Sequence, residues 1–372
     1  LRKHLLPTKI SPDDLVFEDF TQDEEDDTMI RVRFRDGTTV RTKYLIGADG
    51  AHSHVRQSAG LKMNGKNKLE RFTSVHFRAP ELWRRMDSKD AAMLSFVMNS
   101  KTLACVVAHN FEQGEYVAQL PLYDHVNQYE QSELEELISS CIGDSTVPFE
   151  IESALEWSMS ALVANSFSAS KNRVFLVGDA AHVLPPSGGF GLNTGIQDAH
   201  NLAFKIANAV LNKDDDYDDD LLKSYNKERR PIAIRNARVG VENYERGLLV
   251  PKAIGLSRDI LTSASTVLPS WLISTGVSMG LKALSVLEMP SSSSSSNPVA
   301  SVMSNQIDRV ARVNRDAIPM LFPDLDIGIR YDDDDDCHSG KQSKTKRKTE
   351  FEGDALYDVT VWNGSRLPHG WI

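Results

Sequence analysis

Two hydrophobic periods divide this 372-residue chain. Residues 30–34 alternate apolar and basic side chains, Asp36-Gly37 supplies a hairpin turn, and residues 38–42 predict the return strand. Residues 44–46 form a short apolar strand that runs into Gly47-Ala48-Asp49-Gly50. From about Leu61 to Trp157 strand spacing dominates. Residues 72–77, 92–98, 103–108 and 116–120 predict a separate antiparallel sheet, 132–141 a helix, and 151–157 the start of a return. Met93, Phe96, Met98, His109, Phe111 and Tyr123 are possible pocket-lining residues there, but their strand spacing predicts core packing. Residues 174–177, apolar and rich in β-branching, predict a strand buried on both faces. A loop with two prolines and Gly188-Gly189-Phe190-Gly191 follows. From Thr194 the period is helical, with Ile196, Ala199, Leu202, Ala203, Ile206, Ala207 and Val210 on one apolar stripe. Thr194 and Gln197 have capping-box spacing, which puts the helix start at the glycines.

Composition changes this picture only modestly. The formal net charge is −10, but 16 of the 52 acidic residues sit in four runs, at 23–27, 214–216, 218–220 and 332–336. Without them 36 acids face 42 bases, so the body is near neutral and the runs read as solvated loops. Cys105, Cys141 and Cys337 have no metal-ligand spacing and suggest no disulfide framework, which fits a reducing, intracellular and cytoplasmic setting. The basic run at 344–348 lies beside five aspartates and reads as a solvated loop, so no nucleic-acid partner is expected. Residues 260–281 carry no charge, but serines, threonines and Pro269 favour buried or interfacial helices over a membrane span. Residues 291–296 form a flexible serine tract, and 332–348 a disordered loop.

The chemistry concentrates where strands end. Asp179 follows one strand, and a glycine loop and helix N-terminus come next. That end carries partial positive charge and unpaired N–H groups, so it suits an anionic or electron-accepting group. Asp49-Gly50 ends a second strand in the same way. The run from Gly178-Asp179-Ala180-Ala181-His182 through Pro185-Pro186, Gly188-Gly189, Gly191, Asn193, Asp198-Ala199, Asn201-Leu202-Ala203 and Lys205 closely resembles a known motif. It is the second flavin-contacting motif of the single-component FAD-dependent aromatic hydroxylases, the p-hydroxybenzoate hydroxylase and phenol hydroxylase family. The resemblance implies that Asp179 holds a ribityl or ribose hydroxyl, and that Pro186 presents its carbonyl near the reactive flavin edge. The N–H groups of Leu192 and Asn193 would meet the N1–C2=O end of the ring, with Gly178, Gly188 and Gly191 beside the cofactor. Residues 47–56 resemble the family's other fingerprint, near the pyrophosphate and the nicotinamide path. There Asp49 and Gly50 would act through position and hydrogen bonds, while Arg56 would orient the loop or meet a phosphate. His182 is expected to make a structural hydrogen bond rather than transfer a proton. Residues 221–231 resemble the family's Y-x-x-E-R-R-P segment, a helix ending at Pro231, with Glu228, Arg229 and Arg230 in structural roles.

The fold class that the resemblance implies is α/β: an incomplete Rossmann-like FAD-binding domain of the glutathione-reductase type, an antiparallel substrate-domain sheet that roofs the substrate pocket, and C-terminal helices. The expected divisions are 1–60 and 161–245 for the FAD-binding domain, 61–160 for the sheet, 246–330 for helices, 331–360 for a linker, and 361–372 for the start of a thioredoxin-like domain. No G-x-G-x-x-G occurs, so the chain resembles a fragment lacking the first βαβ unit and opening at a helix end over residues 1–6. The implied cofactors are FAD and NAD(P)H, and the implied partners a small aromatic substrate and O2, hydroxylated through a flavin C4a-hydroperoxide. No metal and no catalytic side chain is required. Two alternatives stand beside this: a flavin-dependent epoxidase or reductase of an isoprenoid or lipid-like substrate, and a non-catalytic fragment without bound flavin.

Overall fold

The structure, a computed structural model, describes residues 16–26, 28–86, 92–99, 101–122, 128–211 and 215–248. The expectations for residues 1–6, 260–281, 291–296, 332–348 and 361–372, and for Tyr123 and the Met98 side chain, lie outside the described residues. In chain order the strands β1 (Phe17–Gln22), β2 (Ile30–Phe34), β3 (Thr39–Thr42) and β4 (Leu45–Gly47) lead to helix α1 (His54–Ser58). Next come β5 (Met63–Arg78), α2 (Pro80–Arg85), β6 (Leu94–Met98), β7 (Leu103–Asn110), β8 (Glu115–Pro121), α3 (Gln131–Ile142) and β9 (Glu150–Ala164). The last elements are β10 (Ser168–Ala169), β11 (Val174–Leu176), a 3-10 turn at Gly178–Ala180, β12 (His182–Val183), α4 (Phe190–Leu211) and α5 (Asp215–Gly247). The described residues fall into two units. One comprises those up to Asn67 together with Ser160–Asn243, the other Lys68–Met159 and those from Tyr244.

In the first unit β1, β2 and β3 form an antiparallel meander, with Ile30 and Val32 turned inward between exposed Arg31 and Arg33. Asp23 corrects the reading of the first acidic run as a solvated loop. It is buried, accepts the N–H groups of Glu25 and Asp26, and receives Arg31 Nη2 at 3.1 Å and Arg41 Nε at 2.7 Å. Two cations and two amides offset the desolvation of one carboxylate. Residues 215–220 are also not a loop, because α5 begins at Asp215.

The second sheet of this unit has the order β10-β11-β4. The β11 side chains Val174, Phe175 and Leu176 are fully buried, as their composition predicts. β4 and β11 run parallel, pairing Leu45 with Val174, Ile46 with Phe175 and Gly47 with Leu176. From α5, Tyr225 donates to the Leu176 carbonyl at 2.7 Å and meets the Phe175 ring edge-on.

Helix α4 departs from its predicted orientation. It starts at Phe190, so Thr194 is one turn inside rather than the cap, and it buries Phe190, Thr194, Asp198, Leu202, Lys205 and Ala209. The predicted apolar stripe points mostly outward, with Ile196 and Val210 exposed and Phe204 on the same side at 64%. The inward face is chosen by partners on α5: Asn236 donates to the Thr194 hydroxyl at 2.9 Å, Arg229 pairs with Asp198, and Lys205 pairs with Glu228. Three satisfied polar contacts outweigh the apolar moment. Helix α5 does not stop at Pro231 but continues to Gly247. The ring removes one helical hydrogen bond, while burial of Ile232, Ala233 and Ala237 beyond it holds the helix together.

The second unit contains the sheet order β9-β5-β8-β7-β6. One face, with Val75, Phe77, Ala104, Ala108, Tyr116, Ala118 and Leu120, packs against Leu134 and Ile138 of α3 and against Val147. Helix α3 is fixed by a Glu130–Glu133 capping box and by Gly143 at its C-terminal end. β5 and β9 are longer than the predicted 72–77 and 151–157, since their polar halves carry no apolar–polar alternation. Met93 and Phe96 are not core residues. β6 is the edge strand, and Phe96, 65% exposed, pairs with Cys105 on the face away from α3. Phe111 does pack on the core, with its ring 4.7 Å from Trp83, while His109 is exposed. Among the described residues no helix is long and apolar enough to cross a membrane.

Candidate functional site

Because β4 and β11 are parallel neighbours, the segments that follow them leave the sheet at the same end. Val177 donates to the Gly47 carbonyl at 3.0 Å, so Gly47–Gly50 and Gly178–Ala181 start side by side. The Asp49 carboxylate is exposed, yet it accepts the Val55 N–H at 3.1 Å. Partial burial works against its ionisation, but hydrogen bonds from the Ser53 hydroxyl and from the Val55 and His54 amides prevail and hold its pKa below the ordinary value. Arg56 is buried beneath the pair. Its Nη1 donates to the Ala180 carbonyl at 2.8 Å and its Nη2 to the Ala51 carbonyl at 2.9 Å, so one guanidinium ties the two turns together. Burial lowers its pKa, and the nearby Asp49 charge opposes that shift. Of the two roles expected for Arg56, this geometry is that of orienting the loop.

The second turn rests directly on α4. Gly178 has φ of +59°, and a Cβ added at Gly195 would sit 3.2 Å from the Gly178 Cα, so the two backbones touch. One turn further along, Asp198 is fully buried. It accepts His182 Nε2 at 2.7 Å and Arg229 Nε at 2.7 Å, and the Gly178 N–H approaches at 3.4 Å. His182 is equally buried and β12 pairs its backbone with Val163, so its ring is part of the scaffold; its Nδ1 has no partner among the described residues. Pro185 is buried against Gly240, the Ser187 hydroxyl donates to the Gly240 carbonyl at 2.8 Å, and Asn243 donates to the Ser187 carbonyl.

Above this base the predicted residues are accessible. Asp179, Pro186, Leu192 and Asn193 are exposed, Leu192 to 76%, and Gly50, Gly178, Gly188 and Gly191 are half-buried. The Pro186 carbonyl accepts the N–H groups of Gly188 at 2.8 Å and Gly189 at 3.0 Å and so closes the glycine turn. In the 22-residue α4 the Leu192 N–H lies in the first turn, before the first residue whose N–H meets a carbonyl four residues back, which is Asn193 with Gly189. Asn193 Nδ2 reaches back to the Gly189 carbonyl at 3.2 Å. Gly191 is informative because an added Cβ would meet nothing within 4 Å and its φ is an ordinary one. Neither backbone nor packing requires glycine there, and the space a methyl would fill lies open at the helix N-terminus. A flat anionic group fits that cradle.

Sequence reasoning did not find Asp198 or Gly195 as supports of the site. The available signal was the sevenfold spacing of Asp198 and Lys205, which puts two charges on the helix face that carries Thr194 and Leu202. The second charge has its own consequence. Burial opposes ionisation of Glu228, but hydrogen bonds from Lys205, Asn201 and Ser224 prevail and lower its pKa. A depressed carboxylate contributes stability above its unfolded pKa and loses it as pH falls through the folded value. Thermal melts should therefore decline below about pH 4.5, and Glu228→Gln should flatten that decline while lowering stability near neutrality.

Two carboxylate–glycine turns at one end of a parallel strand pair, beside an open helix N-terminus, define an α/β cradle for a large anionic cofactor. Residues 12–239 match the FAD binding domain family, and the chain belongs to that family. It is 36% identical over 237 residues to tetracenomycin A2 monooxygenase-dioxygenase of Streptomyces glaucescens, covering 58% of this chain and 39% of that protein. It is 30% identical over 226 residues to 2,4-dichlorophenol 6-monooxygenase of Delftia acidovorans, covering 58% and 38%. The rebeccamycin biosynthetic enzyme RebC with reduced flavin superposes with a TM-score of 0.65 at 26% identity, over 95% of this chain and 57% of that one. The chain thus spans little more than a third of the length of these curated relatives.

Proposed function

We propose that this chain is part of an FAD-dependent, NAD(P)H-consuming monooxygenase that hydroxylates a phenol-like aromatic substrate with O2. The observation that carries the reading is the parallel pairing of β4 with β11, which brings Asp49-Gly50 and Gly178-Asp179 out at one sheet end. Membership of the FAD binding domain family and relatives named as monooxygenases support it. When bound, FAD would supply hydride acceptance and oxygen activation at its C4a position. The protein's own contribution is orientation and electrostatics. Asp179 would accept a ribityl or ribose hydroxyl, and the Leu192 and Asn193 amides at the positive end of α4 would stabilise negative charge on the ring. Asp49 and Arg56 would hold the neighbouring turn in register, and Pro186, Gly188 and Gly191 would shape the loop against the ring. A cytoplasmic setting accords with this chemistry.

The test is NAD(P)H oxidation by the full-length protein, followed with O2 uptake and product analysis, against a panel of phenols and of isoprenoids. Substrate-stimulated oxidation that yields a hydroxylated phenol is the expected result. Stimulation by isoprenoids alone, or a full-length protein that binds no flavin, would overturn the reading.

A further inference from the structure

We propose that Gln119 is the hydrogen-bond donor that recognises an oxygen substituent on a planar aromatic substrate, on the sheet face of the second unit that α3 does not cover. The proposal rests on the aromatic-substrate reading and adds the residue and the chemical group recognised. On that face β5 sets Ser74 beside Gln119, and β7 sets Cys105 on the other side of Gln119. The Gln119 Oε1 accepts two hydrogen bonds, from Trp157 Nε1 at 3.0 Å and from the Ser74 hydroxyl at 2.6 Å. An indole N–H can only donate. The amide atom facing Trp157 is therefore the oxygen, and the side-chain orientation follows from chemistry rather than from a choice between O and N.

With the oxygen engaged twice, the Nε2 amide is directed elsewhere, and it has no acceptor among the described residues. Trp157 is itself held by stacking on Phe72, ring centroids 5.1 Å apart and 21° from parallel. Ring and hydroxyl thus pin the amide before any ligand arrives. Toward β7 the surroundings are apolar or weakly polar, with Cys105, Val107 and Val117 half-buried and Phe96 exposed, while on β5 the face continues past Ser74 to His76, 3.8 Å from Glu152. A fixed N–H donor beside an aromatic pair matches a flat ring carrying a phenolic or carbonyl oxygen. The N–H itself has no use for a cation, and an aliphatic chain would leave the donor unpaired.

The test uses the full-length protein and two probe pairs, phenol against benzene and 1-naphthol against naphthalene, with affinities measured by equilibrium dialysis. Wild type should bind the hydroxylated member of at least one pair about tenfold more tightly than its parent. Gln119→Met removes the N–H donor without supplying an oxygen that could accept the phenol O–H, so it should bind each pair evenly. Gln119→Leu serves as a second variant should the thioether impair folding, and should likewise bind each pair evenly. Equal binding within both pairs by wild type, or a preference that survives both substitutions, overturns the proposal. NAD(P)H oxidation on the same preparations separates the two claims. Flavin-loaded, oxidising protein without discrimination removes only the role of Gln119, and discrimination without oxidation removes only the proposed activity.

Discussion

Asp198→Ala is expected to lower unfolding stability by about 3–5 kcal/mol, read as a shift in the urea midpoint at unchanged slope. The carboxylate is fully buried, and so are both of its partners, His182 and Arg229. Removing it takes the carboxylate partner from a buried guanidinium, whose contacts to the Thr194 carbonyl at 3.4 Å and to Gln197 Oε1 at 3.3 Å are long. An uncompensated buried charge is what makes such a deletion costly; a pair removed together would cost far less. Asp198→Asn keeps one acceptor of the same shape and should lose about half as much. Since Asp198 also meets the Gly178 N–H, both variants should weaken flavin binding beyond what partial unfolding explains. A loss below about 1 kcal/mol for Asp198→Ala would mean that α4 is oriented by something other than this cluster.

Gly191→Ala separates folding from binding. Alanine in the first turn of a helix, at a compatible φ and with nothing within 4 Å, should stabilise the apoprotein by about 0.4–1 kcal/mol. The same methyl would occupy the space proposed for the ring, so FAD affinity should fall at least about tenfold, or 1.4 kcal/mol. Opposite signs from one substitution are hard to obtain unless a ligand lies there. Differential scanning calorimetry of apoprotein, paired with FAD fluorescence titration, measures both. Unchanged affinity would remove the ring from the α4 N-terminus.

The strands were legible where composition is unambiguous. Alternation marks β2, and an uninterrupted β-branched run marks β11, which is buried on both faces. The convergence of the two turns was legible because each strand closes on glycine and aspartate. The orientation of α4 was not, because hydropathy ranks Asp198 and Lys205 as outward while their partners, Arg229 and Glu228, lie on a different helix. The same holds for Arg56, whose acceptor at Ala180 is 124 residues away. Pro231 signals a helix end to any local rule, and only tertiary burial beyond it reverses that signal. Gln119 carried no signal at all, since its meaning comes from the indole on a strand 38 residues later.

The central claim is that the Asp49 and Asp179 turns, brought together by β4 and β11, cradle a flavin against α4. Titration of FAD into full-length wild type and Asp179→Ala, followed by flavin fluorescence and visible absorbance, tests it most directly. The account predicts one tightly held flavin per wild-type chain and an affinity about tenfold or more weaker for Asp179→Ala, at equal melting temperature of the apoproteins. Indistinguishable titrations, or a wild type that takes up no flavin, would contradict it.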